Sequence, residues 1–385
     1  MILANPSFTL GIEEEYLLVD LDTLDLAVDP PESMLAECRK RCSRPDQVSR
    51  ELLRSQIEVG TRKCQSVREA RADLQQLRSV VVNVAASHGL APIAASTHPF
   101  GHWAQQKRTA LHRYRELTQQ MAATARRMVV CGMHVHVGID DDDLRIDLLS
   151  QMGYFLPHLL ALSTSSPFWE GQDTGLKSYR LTVFDALPRT GLPEHFDSYS
   201  EYRRHVEVLI SAGIVEDSSM IWWDLRPSDR FPTLETRIFD MCTRLEDAVC
   251  LAALNVCILR RLFRLRVDNQ RWRRYKRMLI NENRWRAMRY GIDEGLLDLA
   301  KGEIVEFGAL LDEILGLIAD DAQALDCVDE VRHARSIVGD GTSAHRQVRV
   351  YNEARQAGAD TNEAVREVVR HLIAETAAGL TEPLA

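Results

Sequence analysis

Glutamates at alternate positions of one predicted strand are the first residues whose types and spacing could do chemistry. In the segment TLGIEEEYLLV, strand alternation sends Glu13 and Glu15 to one face of a sheet and Glu14 to the other. Two residues at about 3.3 Å each place the first two carboxylates about 6.6 Å apart along the strand. Such like charges repel unless a cation lies beside them, and Mg²⁺ prefers hard oxygen ligands. The pattern predicts a metal site, with a solvated acidic edge strand as the alternative and a structural role for Glu14.

Two further predicted strands carry acids on one face only. The segment QIEVG places Glu58 on its polar side, and TLETRIF places Glu235 beside Arg237, in both cases opposite apolar residues. Glu58 becomes a third oxygen ligand if its strand neighbours the first. An acid next to a base suits a strand that holds both a metal and an anion, and an internal salt bridge is the alternative.

A pair of histidines lies on one face of another predicted strand. The segment CGMHVHVG directs His134 and His136 to the same side, with apolar residues behind them. Imidazole is a common ligand of zinc and iron in metallohydrolases, but neighbouring imidazoles also donate hydrogen bonds to phosphate. The residues alone leave both interpretations open.

Arginines complete the set of charged candidates. Arg226, which precedes Pro227, and Arg180, in KSYR, carry planar guanidinium groups that suit bidentate binding of carboxylate or phosphate. Four glutamates, two histidines and several arginines are more charge than a sheet buries without ligands. The sequence contains no GxxxxGK[ST], no GxGxxG opening a helix and no GxSxG. Any nucleotide must therefore be held by the sheet.

Hydrophobic periodicity predicts the elements that position these residues. Strands are expected near 8–19, 51–60, 90–96, 128–139, 178–185 and 219–240, the last as a hairpin broken near Pro227. A first helix, 66–88, begins with the capping box of Ser66 and Glu69. Further helices are expected near 103–127, 143–163 and 199–212, and then, beyond Leu245, where strand signals vanish, near 245–268, 270–288, 293–319, 323–335, 344–357 and 362–378. The loops 163–175 and 187–197 are candidate lids.

Composition excludes several classes of partner. The 385 residues are 45% hydrophobic, enough for a sizeable core, and 56 acids outnumber 47 Lys and Arg, for a net charge of −9. Neither nucleic acid nor an anionic membrane is an expected partner. The start of the sequence lacks an export-signal pattern, and no apolar run reaches the about 18 residues of a spanning helix, so a cytoplasmic protein is expected. Eight cysteines without a CxxC pair are expected to be reduced thiols.

An ordered series of motifs spans nearly the whole chain: GIEEEY at 11–16, SQIE at 55–58, THPF at 97–100, GMHVHVG at 132–138, SPFW at 166–169, LETR at 234–237, NRWRA at 283–287 and GTSA at 341–344. The series resembles the second glutamate–cysteine ligase family, the YbdK-like carboxylate–amine ligases. The resemblance implies an α+β fold, a glutamine-synthetase-like funnel of antiparallel strands surrounded by helices. A single catalytic domain over 1–385 is expected, with the sheet in about 1–243 and a helical half in about 244–385.

The resemblance also implies an activity. An ATP-dependent carboxylate–amine ligase, an acid–amino-acid ligase, forms an amide of the γ-glutamyl-cysteine type through an acyl phosphate. Its cofactors are ATP and Mg²⁺, with Mn²⁺ as a substitute. Small carboxylates and amines, typically amino acids, are the expected partners, and a homodimer is left open.

Roles carried over from the resemblance fall into three groups. Metal ligands are expected at Glu13, Glu15, Glu58 and Glu235. Nucleotide-binding residues are expected at His134, His136, Arg226 and Arg284. The catalytic arginines, which bind phosphate or the substrate carboxylate, are expected at Arg180 and Arg237. Two other functions remain open: a hydrolase that uses the two histidines on zinc or iron, and a noncatalytic amino-acid or nucleotide sensor.

Overall fold

The computed structural model describes residues 5–110 and 112–380, and of 112–118 only the backbone. The strands, numbered in chain order, are β1 Leu10–Asp20, β2 Val48–Arg50, β3 Gln56–Gly60, β4 Leu90–Ile93, β5 Met133–Gly138, β6 Phe168–Trp169, β7 Gln172–Asp173, β8 Thr190–Gly191, β9 Trp222–Trp223, β10 Leu225–Pro227, β11 Thr233–Thr236, β12 Leu296–Asp298 and β13 Glu303–Val305. The helices are α1 Glu32–Arg41, α2 Val67–Ser87, α3 His112–Arg126, α4 Asp142–Met152, α5 Leu156–Ser163, α6 Arg180–Phe184, α7 Tyr199–Ser211, α8 Leu245–Val267, α9 Arg277–Tyr290, α10 Phe307–Leu317, α11 Ala319–Ala324, α12 Val328–Arg332, α13 Ala334–Asp340, α14 Ser343–Gln356 and α15 Thr361–Ala377.

Seven strands form one sheet around the 11-residue strand β1. The strand order is β10-β11-β5-β1-β3-β2, and β4 also pairs with β1. One edge of β1 pairs with β3, and the other pairs first with β5 at 10–14 and then with β4 at 17–20. Every pairing in this sheet is antiparallel. The expected α+β fold with an antiparallel sheet and surrounding helices is confirmed.

The alternation of β1 decides which face of the sheet the helices cover. Leu10, Ile12 and Tyr16 are buried on the face that packs against α2 and α8. Full burial of one such side chain stabilises the fold by about 1.5–3 kcal/mol. Helix α8 is buried along most of its length, as expected of a helix at the centre of a large core. The opposite face of β1 carries Glu13 and Glu15.

Glu14 lies on the covered face, as predicted, and its charge is compensated there. Arg78 of α2 donates from Nε and Nη2 to the two carboxylate oxygens of Glu14, over 2.8 and 2.6 Å, and both side chains are fully buried. Tyr16 donates its hydroxyl to the same carboxylate. Arg78 also donates to the carbonyl oxygens of Cys242 and Thr243. This network satisfies a buried charge without a ligand, so Glu14 is structural.

The strand predicted over 178–185 is wrong, because this segment forms the short helix α6. Its polar and apolar residues alternate, but its only strand-like contact is a single bridge between Ser178 and Ser166. The N–H of Thr182 then donates to the carbonyl of Tyr179, which turns the chain into a helix. Arg180 therefore projects from the first turn of a helix rather than from a strand.

The prediction that strands are absent after Leu245 is also wrong. Strands β12 and β13 form a hairpin in the first half of the predicted helix 293–319, and helix α10 begins only at Phe307. Gly295 and Gly302 have φ values of +66° and +76°. A helix cannot continue through residues with positive φ, and glycine adopts them without steric cost. The two glycines are therefore the sequence signal for a break in the helix, although the hydrophobic periodicity alone predicted a continuous one.

Several other expectations for the scaffold are met only in part. The predicted helix 143–163 is interrupted between α4 and α5, and the predicted helix 270–288 begins only at Arg277. Ser66 caps α2 by accepting the N–H of Glu69, and Glu69 in turn accepts the N–H of Gln65 rather than that of Ser66. All eight cysteines are free thiols. None of the helices in the described ranges has the length and apolar composition needed to cross a membrane. The predicted helix 103–127 includes residue 111, and the predicted domain includes 1–4 and 381–385, which lie outside the described residues.

Candidate active site

The strand register aligns the charged side chains in three rows across the uncovered face of the sheet. Residues directly opposite each other on paired strands point to the same face. The first row is Arg226, Glu235, His136 and Gly11. The second row is His134, Glu13 and Gly60. The third row is Gly132, Glu15, Glu58 and Ser49, in which the N–H of Glu15 donates to the carbonyl of Gly132.

These rows bring together most of the residues predicted for the site. The charged face defined by the three rows contains all four glutamates predicted as metal ligands and both histidines. Arg237 follows the end of β11, and its guanidinium pairs with Glu235. The condition for including Glu58 among the ligands is met, since its strand β3 lies directly beside β1. The metal-binding role of these residues stays a prediction.

Three groups on this face have ligand atoms that lie within 4.8 Å of one another. The groups are Glu13, His136 and Glu235; Glu13, Glu58 and His134; and Glu15, Glu51 and Glu58. Carboxylate oxygens with one imidazole nitrogen form a hard ligand set of the kind that Mg²⁺ and Mn²⁺ accept. In the described chain His134 and His136 fall in different groups, so no group offers two histidines to one ion.

Glu51 is a candidate ligand that the sequence analysis missed. It follows β2 directly, and the antiparallel pairing of β2 with β3 turns it back toward Glu58. The signal that could have found it is the turn between the short strands, since residues near the two ends of a tight turn face each other. In sequence, Glu51 stands in RELLR, which has no period-two pattern of its own.

The carboxylates of this face are in opposite electrostatic situations. Burial raises the pKa of Glu58 well above its usual value, and the neighbouring carboxylates of Glu51, Glu13 and Glu15 raise it further, although Ser49 donates a hydrogen bond of 2.8 Å. Burial also acts on Glu13, but hydrogen bonds and positive charge from His134 and His136 leave its pKa below the usual value. Glu58 is thus flanked by carboxylates, whereas Glu13 is flanked by two imidazoles.

Glu235 is held between two arginines. Arg226 donates from Nε to Glu235 over 2.8 Å, and its Nη1 donates to the carbonyl of Ile221 over 2.8 Å. Arg237 pairs with the other carboxylate oxygen. Burial opposes ionisation, but Arg237 and Arg226 bring the pKa of Glu235 well below its usual value. Arg226 therefore orients a candidate metal ligand, and its contact with a nucleotide stays a prediction.

Arg180 lies over the third row. Gly132 leaves the space that it occupies, since a Cβ on Gly132 would lie 2.8 Å from Arg180 Cζ. The Arg180 side chain is only 3% exposed, and its described hydrogen bonds go to the carbonyls of Arg237 and Ile238 over 3.3 and 3.5 Å. Burial lowers the pKa of Arg180, and Asp240 and Glu15 partly restore it. The guanidinium is thus a buried cation beside the acidic third row.

A buried carboxylate fixes the segment that carries Arg180. Asp240 accepts hydrogen bonds from the Ser165 N–H and the hydroxyls of Ser166 and Ser178, over 2.8–2.9 Å. The Arg180 N–H donates to the Ser166 hydroxyl over 3.0 Å. The loop 163–175, predicted as a lid, therefore begins with residues that are buried and bonded to the sheet.

Arg284 does not join the charged face. Its guanidinium donates four hydrogen bonds of 2.6–3.1 Å, two to Asp185 and two to Asp224. The carbonyl of Asp224 accepts the N–H groups of Arg237 and Ile238. Arg284 therefore orients Asp224, which in turn binds the residues that follow β11. Its guanidinium donors form these ion pairs, so they are not available for the predicted contact with a nucleotide.

The donors of the charged face fit a divalent cation and an anionic ligand. Arg237 Nε is buried and has no hydrogen-bond partner among the described residues, and the buried His136 Nε2 has only a long contact of 3.5 Å with Glu13 Oε1. Burial and the carboxylates of Glu51, Glu13 and Glu15 raise the pKa of Glu58, so additional positive charge at the third row would stabilise its ionised form. A metal ion would supply that charge, and an anion would occupy the free guanidinium donors.

Two solved structures with a similar fold are a glutamate–cysteine ligase and a bifunctional glutathione synthetase. The chain superimposes on the glutamate–cysteine ligase of Francisella tularensis in complex with AMP with a TM-score of 0.69 at 14% identity, covering 99% of this chain and 91% of that one. A bifunctional glutathione synthetase of Pasteurella multocida gives a TM-score of 0.67 at 16% identity, covering 96% of this chain. The chain spans about half, 53%, of that protein. The fold is that of the glutamine-synthetase-like ligases.

Sequence relatives identify the family. The profile described as glutamate-cysteine ligase family 2 (GCS2) matches residues 9–373. A protein of Rhodospirillum rubrum, provisionally named glutamate–cysteine ligase 2, is 59% identical over 377 residues and covers 97% of both chains. A protein of Chloroflexus aurantiacus with the same provisional name is 42% identical over 383 residues, covering 98% of this chain and 94% of that one. The chain belongs to glutamate–cysteine ligase family 2.

Proposed function

We propose that the protein is an ATP-dependent carboxylate–amine ligase that forms an amide of the γ-glutamyl-cysteine type through an acyl phosphate. The observation that carries the proposal is that the buried guanidinium of Arg180 lies next to the acidic third row without forming an ion pair. Among the described residues, no carboxylate lies within 4.0 Å of it. Cations on one side and clustered carboxylates on the other suit an anionic substrate bound together with metal ions. Family membership and the similar ligase structures support the same class.

The metal-binding part of the proposal rests on the three ligand groups. Glu13, Glu58 and His134 form the central group, which shares Glu13 with the first group and Glu58 with the third. Bound Mg²⁺ or Mn²⁺ would screen the charge of the nucleotide phosphates. Because the groups share ligands, cations bound to neighbouring groups would lie side by side, and one triphosphate would contact more than one of them.

The arginines act on the phosphoryl group that is transferred. Arg180 lies over Gly132 at one end of the third row, and Arg237 lies at the end of β11 next to Glu235. Both are fixed by buried neighbours before a ligand binds, so little reorganisation is needed when charge builds on the phosphoryl oxygens. Such preorganised cations stabilise the transition state more than the ground state.

The proposed reaction has two bond exchanges. A carboxylate oxygen of the acid bonds to the γ-phosphorus of ATP while the bond from that phosphorus to the bridging oxygen breaks, and ADP leaves. The amine nitrogen then bonds to the acyl carbon, the carbon–oxygen bond to phosphate breaks, and the amine loses a proton. The products are an amide, ADP and inorganic phosphate.

The arrangement of the histidines favours this reaction over metal-dependent hydrolysis. A hydrolase of the HxH type needs both imidazoles on one ion. His134 Nδ1 lies 3.1 Å from Glu13, whereas His136 uses Nδ1 for a 2.9 Å hydrogen bond to Thr233. The two histidines fall in different ligand groups, which share Glu13, and neither group offers both imidazoles to one ion.

The test is ADP release by the purified protein with Mg²⁺ and ATP across a matrix of carboxylate donors and amine acceptors. Mass spectrometry identifies the condensed product, and each acid or amine alone is the control. We expect ADP and an amide only for particular pairs. Thermal protection by ATP without ADP release from any pair would favour a noncatalytic sensor, and turnover without ATP would contradict the proposal.

A further inference from the structure

An exposed aromatic side chain stands at the first-row end of the charged face. Phe231 lies in the turn between β10 and β11 and is 56% exposed, although it is a large apolar residue. Its ring meets the ring of His136 edge to face, with centroids 6.4 Å apart. His136 belongs to the ligand group with Glu13 and Glu235. Phe231 therefore borders the candidate metal site while most of its surface stays open.

The backbone of this turn is fixed, although the side chain is open. The N–H of Thr233 donates to the carbonyl of Phe231 over 2.7 Å, and the N–H of Ile139 donates to the carbonyl of Pro232 over 2.9 Å. On the other side of the turn, Ser218 donates to Asp229 over 2.7 Å. A rigid exposed aromatic costs little conformational entropy when a planar ligand packs on it.

The three rows give the site a direction. Gly11, in the first row, and Glu15, in the third, are four residues apart on β1, which is about 13 Å along the strand. Phe231 lies next to the first row, and Arg180 lies over the third. An extended nucleoside triphosphate has a comparable length, with its transferred phosphoryl group at one end and a flat apolar base at the other.

We propose that Phe231 is the stacking platform for the purine base of the nucleotide, with the triphosphate running from the first row toward Arg180. The assignment rests on the proposed use of ATP. It orients the nucleotide, so that the acid substrate meets the phosphoryl group at the third row. Stacking of a base on an aromatic ring is a sequence-tolerant contact, which predicts weak discrimination between purines at this position.

The experiment compares two ligands that share a triphosphate chain, of which only one carries a nucleoside. Calorimetric titrations measure binding of Mg²⁺–ATP and of Mg²⁺–tripolyphosphate to the full-length wild type, Phe231→Ala, Phe231→Tyr and Ile304→Ala. Ile304 is a matched control because it is a 51% exposed apolar residue on β13, in a separate hairpin. We expect Phe231→Ala to weaken ATP binding by about 5- to 100-fold, with tripolyphosphate binding unchanged.

The other outcomes separate the two proposals. Phe231→Tyr and Ile304→Ala are expected to bind ATP as the wild type does. Equal affinity of Phe231→Ala and the wild type for ATP would overturn the stacking role and leave the ligase proposal intact. Equal loss of both ligands in Phe231→Ala would also overturn it, because the turn would then be acting on the metal site. Failure of the wild type to bind ATP would overturn the proposed function itself.

Discussion

Arg78 and Glu14 form a fully buried, two-pronged ion pair directly behind the acidic face of β1, with donor–acceptor distances of 2.8 and 2.6 Å. The pair joins α2 to the central strand and shares its carboxylate with Tyr16. One strand thus carries a compensated charge on one face and clustered carboxylates on the other.

Replacing Arg78 by Met is expected to lower the free energy of unfolding by about 3–5 kcal/mol, because Glu14 would remain buried and unpaired. The carbonyls of Cys242 and Thr243 would also lose their donor. Urea denaturation measures the loss. The exposed pair of Arg41 and Glu37 offers the control Arg41→Met, for which a change under about 1 kcal/mol is expected. Equal effects of the two substitutions would contradict the role of the buried pair.

Glu13 and Glu58 are expected to respond oppositely to replacement by Gln. Glu58→Gln should stabilise the metal-free protein, since it removes a charge whose pKa is raised by burial and by neighbouring carboxylates. Glu13→Gln should destabilise it, because the histidines that lower the pKa of Glu13 lose their partner. Both variants should lose Mg²⁺-dependent turnover. Thermal unfolding in EDTA, followed by the ADP assay, tests both statements, and full activity in either variant would contradict its role as a ligand.

Stabilisation by Mg²⁺ is expected to grow as the pH rises. In the folded, metal-free protein the pKa of Glu58 is higher than in the unfolded chain. Ionisation of this group therefore lowers the free energy of unfolding as the pH rises. Mg²⁺ requires the ionised carboxylate, and its binding releases the proton. The shift in melting temperature caused by Mg²⁺ should therefore be larger at about pH 8 than at about pH 5.5.

Glu58→Gln provides the control for the pH series. This variant cannot release the proton in question, so most of the pH dependence of the Mg²⁺ effect should disappear. A pH dependence that survives unchanged would assign the effect to other groups of the charged face.

Gly132→Ala is expected to reproduce the effect of removing Arg180. The new Cβ would lie 2.8 Å from Arg180 Cζ, so the guanidinium must leave its position over the third row. Both Gly132→Ala and Arg180→Met should lower kcat by about 100- to 1,000-fold, the range found when one preorganised donor to a transition state is removed. The control is Gly316 in α10, where an added Cβ would have no atom within 4 Å. Gly171 has as much space, but its positive φ would strain an alanine, so it is not a suitable control. Gly316→Ala should leave kcat unchanged.

Local alternation explains why much of the charged face could be predicted from sequence. The side chains of Glu13, Glu15, His134 and His136 alternate with apolar residues, and the geometry of a strand alone assigns them to one face. The antiparallel order of the strands and the ligase class were expected from the resemblance of several motifs, and both agree with the structure and its relatives.

Residues whose place depends on distant partners could not be predicted in this way. Arg284 is bonded to Asp185 and Asp224, which lie 99 and 60 positions away in the chain. Glu51 approaches Glu58 only through the turn after β2. The segment of Arg180 alternates like a strand, but it forms a single bridge, from Ser178 to Ser166, before it turns into a helix. In each case tertiary contacts decide the structure, and the local sequence pattern does not predict those contacts.

The three rows also constrain how the chain folds. A slip of β1 by one residue against β3 would turn Glu13 and Glu15 toward α2 and α8 and bring Ile12 and Tyr16 out to solvent. It would also separate Glu14 from Arg78. The carboxylates proposed to hold metal ions therefore disfavour a one-residue slip of β1 during strand pairing, since the slipped sheet would bury them. Apolar replacements on this face would reduce the free-energy cost of the slipped register and favour aggregation of misfolded chains, apart from any loss of activity.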